Sequence, residues 1–192
     1  DGTVRRRDHQ WVKLLDSRAN GPFADPRIDY CIGQDEMTIH TARTILPDGS
    51  AMPVPDYAFN KAGPDDVAGW AQYAGWVQTV ICFAGIENGC VLELDYEVVS
   101  KPGTYTWAEA DLRLNEDYPT VRRIVTVTAP QGIPLLYKLD GVQPAPAPEK
   151  TAGEGGAATY RWTFEKLAAA PGEPQSPLWQ KRCARLRFTT CP

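Results

Sequence analysis

Within the run VLELDYEVV, residues 91–99, apolar and acidic side chains alternate from 92 to 98, and a two-residue period commits a backbone to an extended strand with one buried face. Leu92, Leu94, Tyr96 and Val98 fall on one side, and Glu93, Asp95 and Glu97 on the other. TYRWTFEKL repeats the pattern, with Tyr160, Trp162 and Phe164 inward and Arg161, Thr163 and Glu165 outward. ARLRF repeats it again, with Leu186 and Phe188 set against Arg185 and Arg187. QTVICFAG and VRRIVTVTAP are richer in β-branched and apolar residues and read as central strands covered on both faces. Trp162 and Trp11 read as core fillers.

Helical periodicity is weak throughout. DDVAGWAQYAGW (65–76) reads as a short helix, but Gly69 and Gly75 interrupt it, each costing about 1 kcal/mol relative to Ala. The 16 Gly and 17 Pro are spread as turn punctuation, so the predicted class is all-β: an antiparallel, sandwich-like fold of two packed sheets with many hairpins. TILPDGSAMPVP (44–55) shows the turn chemistry in full. Pro47 presets φ, Asp48 bonds its own backbone and Gly49 takes φ > 0, while Pro53 and Pro55 confine the returning strand to a sheet edge or a bulge. The 192 residues suit one domain, 1–192. Residues 140–158, rich in Pro, Ala and Gly with little to bury, read as a flexible hairpin connection within it.

A net charge of −4 gives no electrostatic reason to bind nucleic acid, and Arg5, Arg6 and Arg7 read as a solvated strand. No apolar stretch approaches the roughly 18 residues of a membrane span. The opening DGTVRRR lacks the apolar core of a leader and has no initiator Met, as expected of a processed or excised chain. GxSxG, P-loop and GxGxxG patterns are absent, so no nucleotide cofactor is expected. Five cysteines, two histidines and no CxxC make a zinc site or a Cys/His nucleophile pair a poor reading, and no metal or catalytic residue is assigned. Cys82 and Cys90 flank FAGIENG. A hairpin closing there would bring them within disulfide range, and two buried thiols on neighbouring strands is the alternative. Cys183 and Cys191 stand roughly 26 Å apart if RCARLRFTTC is one strand, so they do not pair with each other.

Two residue groups carry candidate chemistry. Glu93, Asp95 and Glu97 share a strand face, as do Glu109 and Asp111 in WAEADLRL. Such rows suit a glycosidase carboxylate pair or a calcium site, but they equally suit the solvated face of a strand. Trp70, Tyr73 and Trp76 cluster around two glycines, and Tyr105 and Trp107 alternate along TYTWAEA. Rings of this kind stack on sugars or peptide prolines when exposed and fill a core when buried. Trp70, Tyr73, Trp76, Tyr105, Trp107 and Glu109 are therefore the candidate ligand-binding residues.

MTIHTARTILPDGSAMPVP, VICFAGIENGCVLELDYEVVSKPG, WAEADLRLNEDYPTVRRIVTVTAPQGIPLLYKLDG and YRWTFEKLAAAPGEPQSPLWQKRCARLRFTT occur in that order. Together they resemble a bacterial domain of unknown function that lies immediately N-terminal to transglutaminase-like domains. The resemblance covers residues from about 12 to 190; its most specific features are ARTILPDG, FAGIENGCVLELDYE and NEDYPTVRR leading into a strand that ends APQG. It implies an all-β, non-catalytic accessory domain of a bacterial protein exported to the periplasm or cell surface. The partner so implied is an adjoining transglutaminase-like domain that holds the catalytic Cys, His and Asp. Cys82 and Cys90 depart from the usual pattern, as does the long Pro/Ala/Gly insertion. The alternative function is a glycan- or peptide-binding module built on the aromatic residues.

Overall fold

The computed structural model describes residues 2–64, 67, 69–173, 175 and 177–191. Period-two patterning has its expected outcome: the chain is built of antiparallel strands with very little helix. It divides into two compact units, Asp1–Tyr105 and Thr106–Pro192, and each holds its own pair of sheets.

The first unit contains β1 (Arg5–Lys13), α1 (Asn20–Ala24), β2 (Arg27–Cys31), β3 (Asp35–Ile45), β4 (Ala51–Pro53), β5 (Phe59–Ala62), β6 (Trp76–Ile81) and β7 (Val91–Ser100). One sheet has the order β1-β7-β3-β4 and the other β2-β6-β5. Leu92, Leu94 and Val98 of β7 meet Ile28 and Tyr30 of β2 and Ile81 of β6 in one apolar cluster, so the two sheets share a core. β6 is central and largely buried, as QTVICFAG predicts.

The 44–55 turn forms as read. Leu46 N donates to Ser50 O at 2.8 Å, Asp48 Oδ1 accepts from Ser50 N and Oγ, and Gly49 sits at φ +87°, where a Cβ would be strained. It returns the chain as β4, the last strand of its sheet, with all three residues exposed. Within β3 the register shifts between Ile39 and Thr41, making His40 the extra residue of a β-bulge. The bulge resets the inward phase from Met37 and Ile39 to Ala42 and Thr44.

The second unit contains β8 (Glu109–Arg113), β9 (Thr120–Ala129), β10 (Leu136–Asp140), β11 (Glu149–Ala152), β12 (Ala158–Leu167), α2 (Trp179–Arg182) and β13 (Arg185–Thr189). Its sheets have the orders β10-β13-β8 and β11-β12-β9. Trp162, Phe164, Leu186, Leu114, Leu135 and Ala184 form its core. Trp162 is fully buried, stacked on Tyr160 at 6.3 Å and met edge-on by Tyr137 at 5.1 Å.

Two expectations change in this unit. VRRIVTVTAP was expected to be central; as β9 it ends its sheet, with Arg122, Thr126 and Thr128 exposed on the outer side. β-branched Val and Thr suit a half-exposed strand as well as a covered one, so composition alone does not separate the two cases. Residues 140–158, expected to be a structureless connection, include β11, which pairs with β12 from Ala152↔Ala158 onward. All four residues of β11 are exposed, so backbone pairing and not burial defines the strand.

Candidate functional site

β7 lies between β1 and β3, and its acidic residues face a cationic row on β1, with Arg43 of β3 beside Glu93 on the other side. Alternation along β1 puts Arg5, Arg7, His9 and Trp11 in one row, and the antiparallel register sets that row beside Glu97, Asp95 and Glu93. Arg7 donates to Asp95 through Nε at 2.9 Å and Nη2 at 2.6 Å, a two-point fork. Arg5 Nη1 reaches both oxygens of Glu97 at 2.9 and 2.8 Å. Glu93 receives Arg43 Nε from β3 at 2.6 Å on Oε2, and His9 Nε2 from β1 lies 3.0 Å from Oε1. His9 Nδ1 stands 3.8 Å from Asp95 Oδ2, and the indole of Trp11 packs against the imidazole with ring centroids 3.8 Å apart.

The carboxylates expected to face solvent are in fact covered: Glu93 is 6% and Asp95 4% exposed. A single layer of guanidinium and imidazole lies over them, so β7 is buried on its polar face as well as its apolar one. Each buried charge then needs its own partner, and each has one. Burial pushes the Glu93 carboxyl up, but the bonds from His9 and Arg43 outweigh it and hold the group below its ordinary range. Asp95 is held low chiefly by the Arg7 fork, and the same contact raises the Arg7 guanidinium. Trp11, expected in the core, is 58% exposed because it belongs to this outer row. The signal was present in the sequence as two complementary period-two rows, Arg5-Arg7-His9 and Glu93-Asp95-Glu97, and it becomes visible only when the rows are read together.

The aromatic candidates divide between the units. Trp70, Tyr73 and Trp76, with Gly63, Pro64 and Val67, line an open cleft of about 360 Å³ in the first unit. Trp70 and Tyr73 stand 6.3 Å apart and tilted, and all three rings are exposed. Of the expected helix over 65–76, residues 65, 66 and 68 lie outside the described residues, and Ala71–Tyr73 forms a single 3-10 turn. Tyr105 closes the first unit and is exposed; Trp107 is exposed in the second unit, as is Glu109 at the start of β8. Trp76 and Trp107 are thus surface rings and not core fillers. Among the described residues that line the cleft the aromatic rings dominate, so its described lining suits a stacking ligand.

All five cysteines are free, Cys82 and Cys90 included. FAGIENG does not close a hairpin between them. Cys82 follows β6 and its N–H bonds Ala58 O, whereas Cys90 precedes β7 in the other sheet, with its carbonyl accepting from Leu14 N. The segment is a crossover between sheets, which removes the geometry a disulfide requires. A hydrogen bond with Asp25, then burial, raises the Cys82 thiol away from the reactive thiolate form. Among the described residues no group of three His, Cys, Asp or Glu side chains is arranged to hold a metal ion. No helix among them is long and apolar enough to cross a membrane.

A family model described as a domain of unknown function with a solved structure, DUF3857, matches residues 1–171. Among solved structures, the chain is similar to a protein from Parabacteroides distasonis ATCC 8503 described as a "putative protease". The match has a TM-score of 0.92 and 27% sequence identity over 99% of this chain. The chain spans 37% of that protein's length. Curated proteins give no match.

Proposed function

The chain belongs to the DUF3857 family, and from that premise we propose that it is a non-catalytic accessory domain of an exported bacterial protein. In this reading it docks against, or presents substrate to, an adjoining transglutaminase-like or cysteine-protease-like domain. The observation that carries the reading is the structural match: nearly all of this chain corresponds to little over a third of a longer protein described as a "putative protease". Two further facts support it. The acids of β7 are each held by cationic donors, Glu93 from both neighbouring strands, and the Cys82 thiol is shifted up, away from the thiolate.

The test is an assay of the purified chain for peptide hydrolysis and acyl transfer, alone and with the adjoining domain supplied as a separate polypeptide. No turnover by the chain alone is expected, with binding to the added domain. Turnover abolished by substituting one of the chain's own residues would overturn the reading.

The cleft of Trp70, Tyr73 and Trp76 favours a second reading, a module that stacks a glycan or a proline-containing peptide on exposed rings. Tryptophan emission that shifts with a saturating sugar or peptide, and no longer shifts in Trp70→Ala, is the expected sign. Unchanged emission across a broad panel counts against it.

A further inference from the structure

Strand edges with unpaired backbone groups are usually shortened, charged, broken by proline or bulged, because an open edge recruits other strands. Several edges of this protein carry such a device. β4 has three residues and ends in Pro53, β11 has four exposed residues, and β1 keeps Arg6 exposed outside the row that bonds the β7 acids. β9 is different. It runs ten residues without proline, pairs on one side with β12, and none of its described residues makes a backbone bond to any other strand.

The exposed side chains of β9 also lack the usual protection. Val121 is 80% and Ile124 43% exposed. Val121 falls opposite Lys166 in the unshifted register that runs from Glu165↔Arg122 to Leu167↔Thr120, and Lys166 adopts φ +51°, so no apolar residue of β12 stands opposite Val121. The two arginines that would repel an incoming strand are already neutralised within the chain: Arg122 bonds Glu165 at 2.7 Å, and Arg123 bonds Glu116 at 2.5 Å and the Leu114 carbonyl at 3.2 Å.

We infer that β9 is a self-association edge, on which β9 of a second copy of this chain adds antiparallel about a two-fold axis through Ile124. Self-pairing is favoured over a foreign strand because the segment matches itself in reverse. In that register Thr120 meets Thr128, Val121 meets Val127, Arg122 meets Thr126 and Arg123 meets Val125. The exposed Val121 gains the apolar neighbour it lacks on β12. The two Arg122 side chains stay about 13 Å apart along the strands, so like charges do not face each other. The product is a continuous sheet β11-β12-β9-β9-β12-β11, with the isologous symmetry of most homodimers.

Sedimentation velocity of the full chain from about 1 to 200 µM tests this. The mass is expected to double across that range. The double variant Val121→Lys/Ile124→Lys alters only exposed side chains; it is expected to keep the parent circular dichroism and to raise the dissociation constant at least about tenfold. On the unmodified chain, amides within 120–129 gain hydrogen-exchange protection with concentration while those of β1 do not. A monomer throughout the range overturns the inference, and so does a dimer whose β9 amides are insensitive to concentration.

Discussion

Replacing Glu93 by glutamine keeps the shape of the side chain and removes its charge, which separates a structural acid from a catalytic one. Glu93 accepts from Arg43 at 2.6 Å and from His9 at 3.0 Å. Hydrogen bonds to charged groups contribute about 1.5–3 kcal/mol each. Glutamine keeps an acceptor oxygen for Arg43 and can offer its NH2 to His9 Nε2 only where the imidazole carries its proton on Nδ1, so the charge assistance of both contacts is lost even where their geometry survives. Arg43 is 45% exposed and partly rehydrates once its partner is neutral, which brings the cost to the lower end, about 2 kcal/mol. Glu97→Gln is the internal control. Its partner Arg5 lies mostly in water, so the change is expected to cost under about 1 kcal/mol. Native-state hydrogen exchange of β7 amides reads both values on the strand that carries the residues. Unchanged or increased protection in Glu93→Gln would refute the reasoning, because an acid held in an unfavourable setting for catalysis relaxes when neutralised.

Acid should weaken the same sheet. Asp95 and Glu93 titrate below their ordinary values when folded, so their contribution is complete above the unfolded values near 4 and is lost as pH falls through the folded ones. The melting temperature is expected to hold from about pH 7 to 5 and to drop below about pH 4, with the drop reduced in Asp95→Asn/Glu93→Gln; loss centred above pH 6 would contradict this. In the second unit, Trp162→Ala empties a fully buried site and should cost about 3–5 kcal/mol by urea unfolding. Trp162→Phe should cost far less, since it also removes an indole N–H that has no partner; equal losses would show that the cavity does not set the cost. At the first hairpin, the Ala51 and Met52 amides are expected among the faster-exchanging strand amides, and finding them among the best protected would refute the edge assignment of β4.

The inward faces were legible because burial imposes a two-residue period that each strand carries by itself. Leu92 and Leu94, Trp162 and Phe164, and Leu186 all sit where alternation puts them. The outward faces were not, because their burial depends on which strand lies alongside. Glu93 is a solvated acid next to a threonine and a covered one next to Arg43 and His9, and strand order is not local information. The same limit explains β9, whose composition fits a central strand and whose place is an edge. The FAGIENG segment failed for a related reason: glycines mark that the chain turns, but not whether it turns within one sheet or into another.

The four sheets present two edges each, and a chain this rich in strands avoids edge-to-edge aggregation only if most of those edges refuse partners. Proline, brevity and charge close β4, β11 and β1, and each device costs something in pairing or burial. An edge left long, apolar and internally neutralised therefore requires a reason. Arg122 and Arg123 are both paired with acids from neighbouring segments, while Val121 and Ile124 stay exposed between the same strand ends. If the polar face of β7 is occupied by its own cations and the chain works by contact with other polypeptides, its recognition surfaces must lie elsewhere. The open edge of β9 and the ring-lined cleft around Trp70 are where backbone and aromatic groups remain unspent.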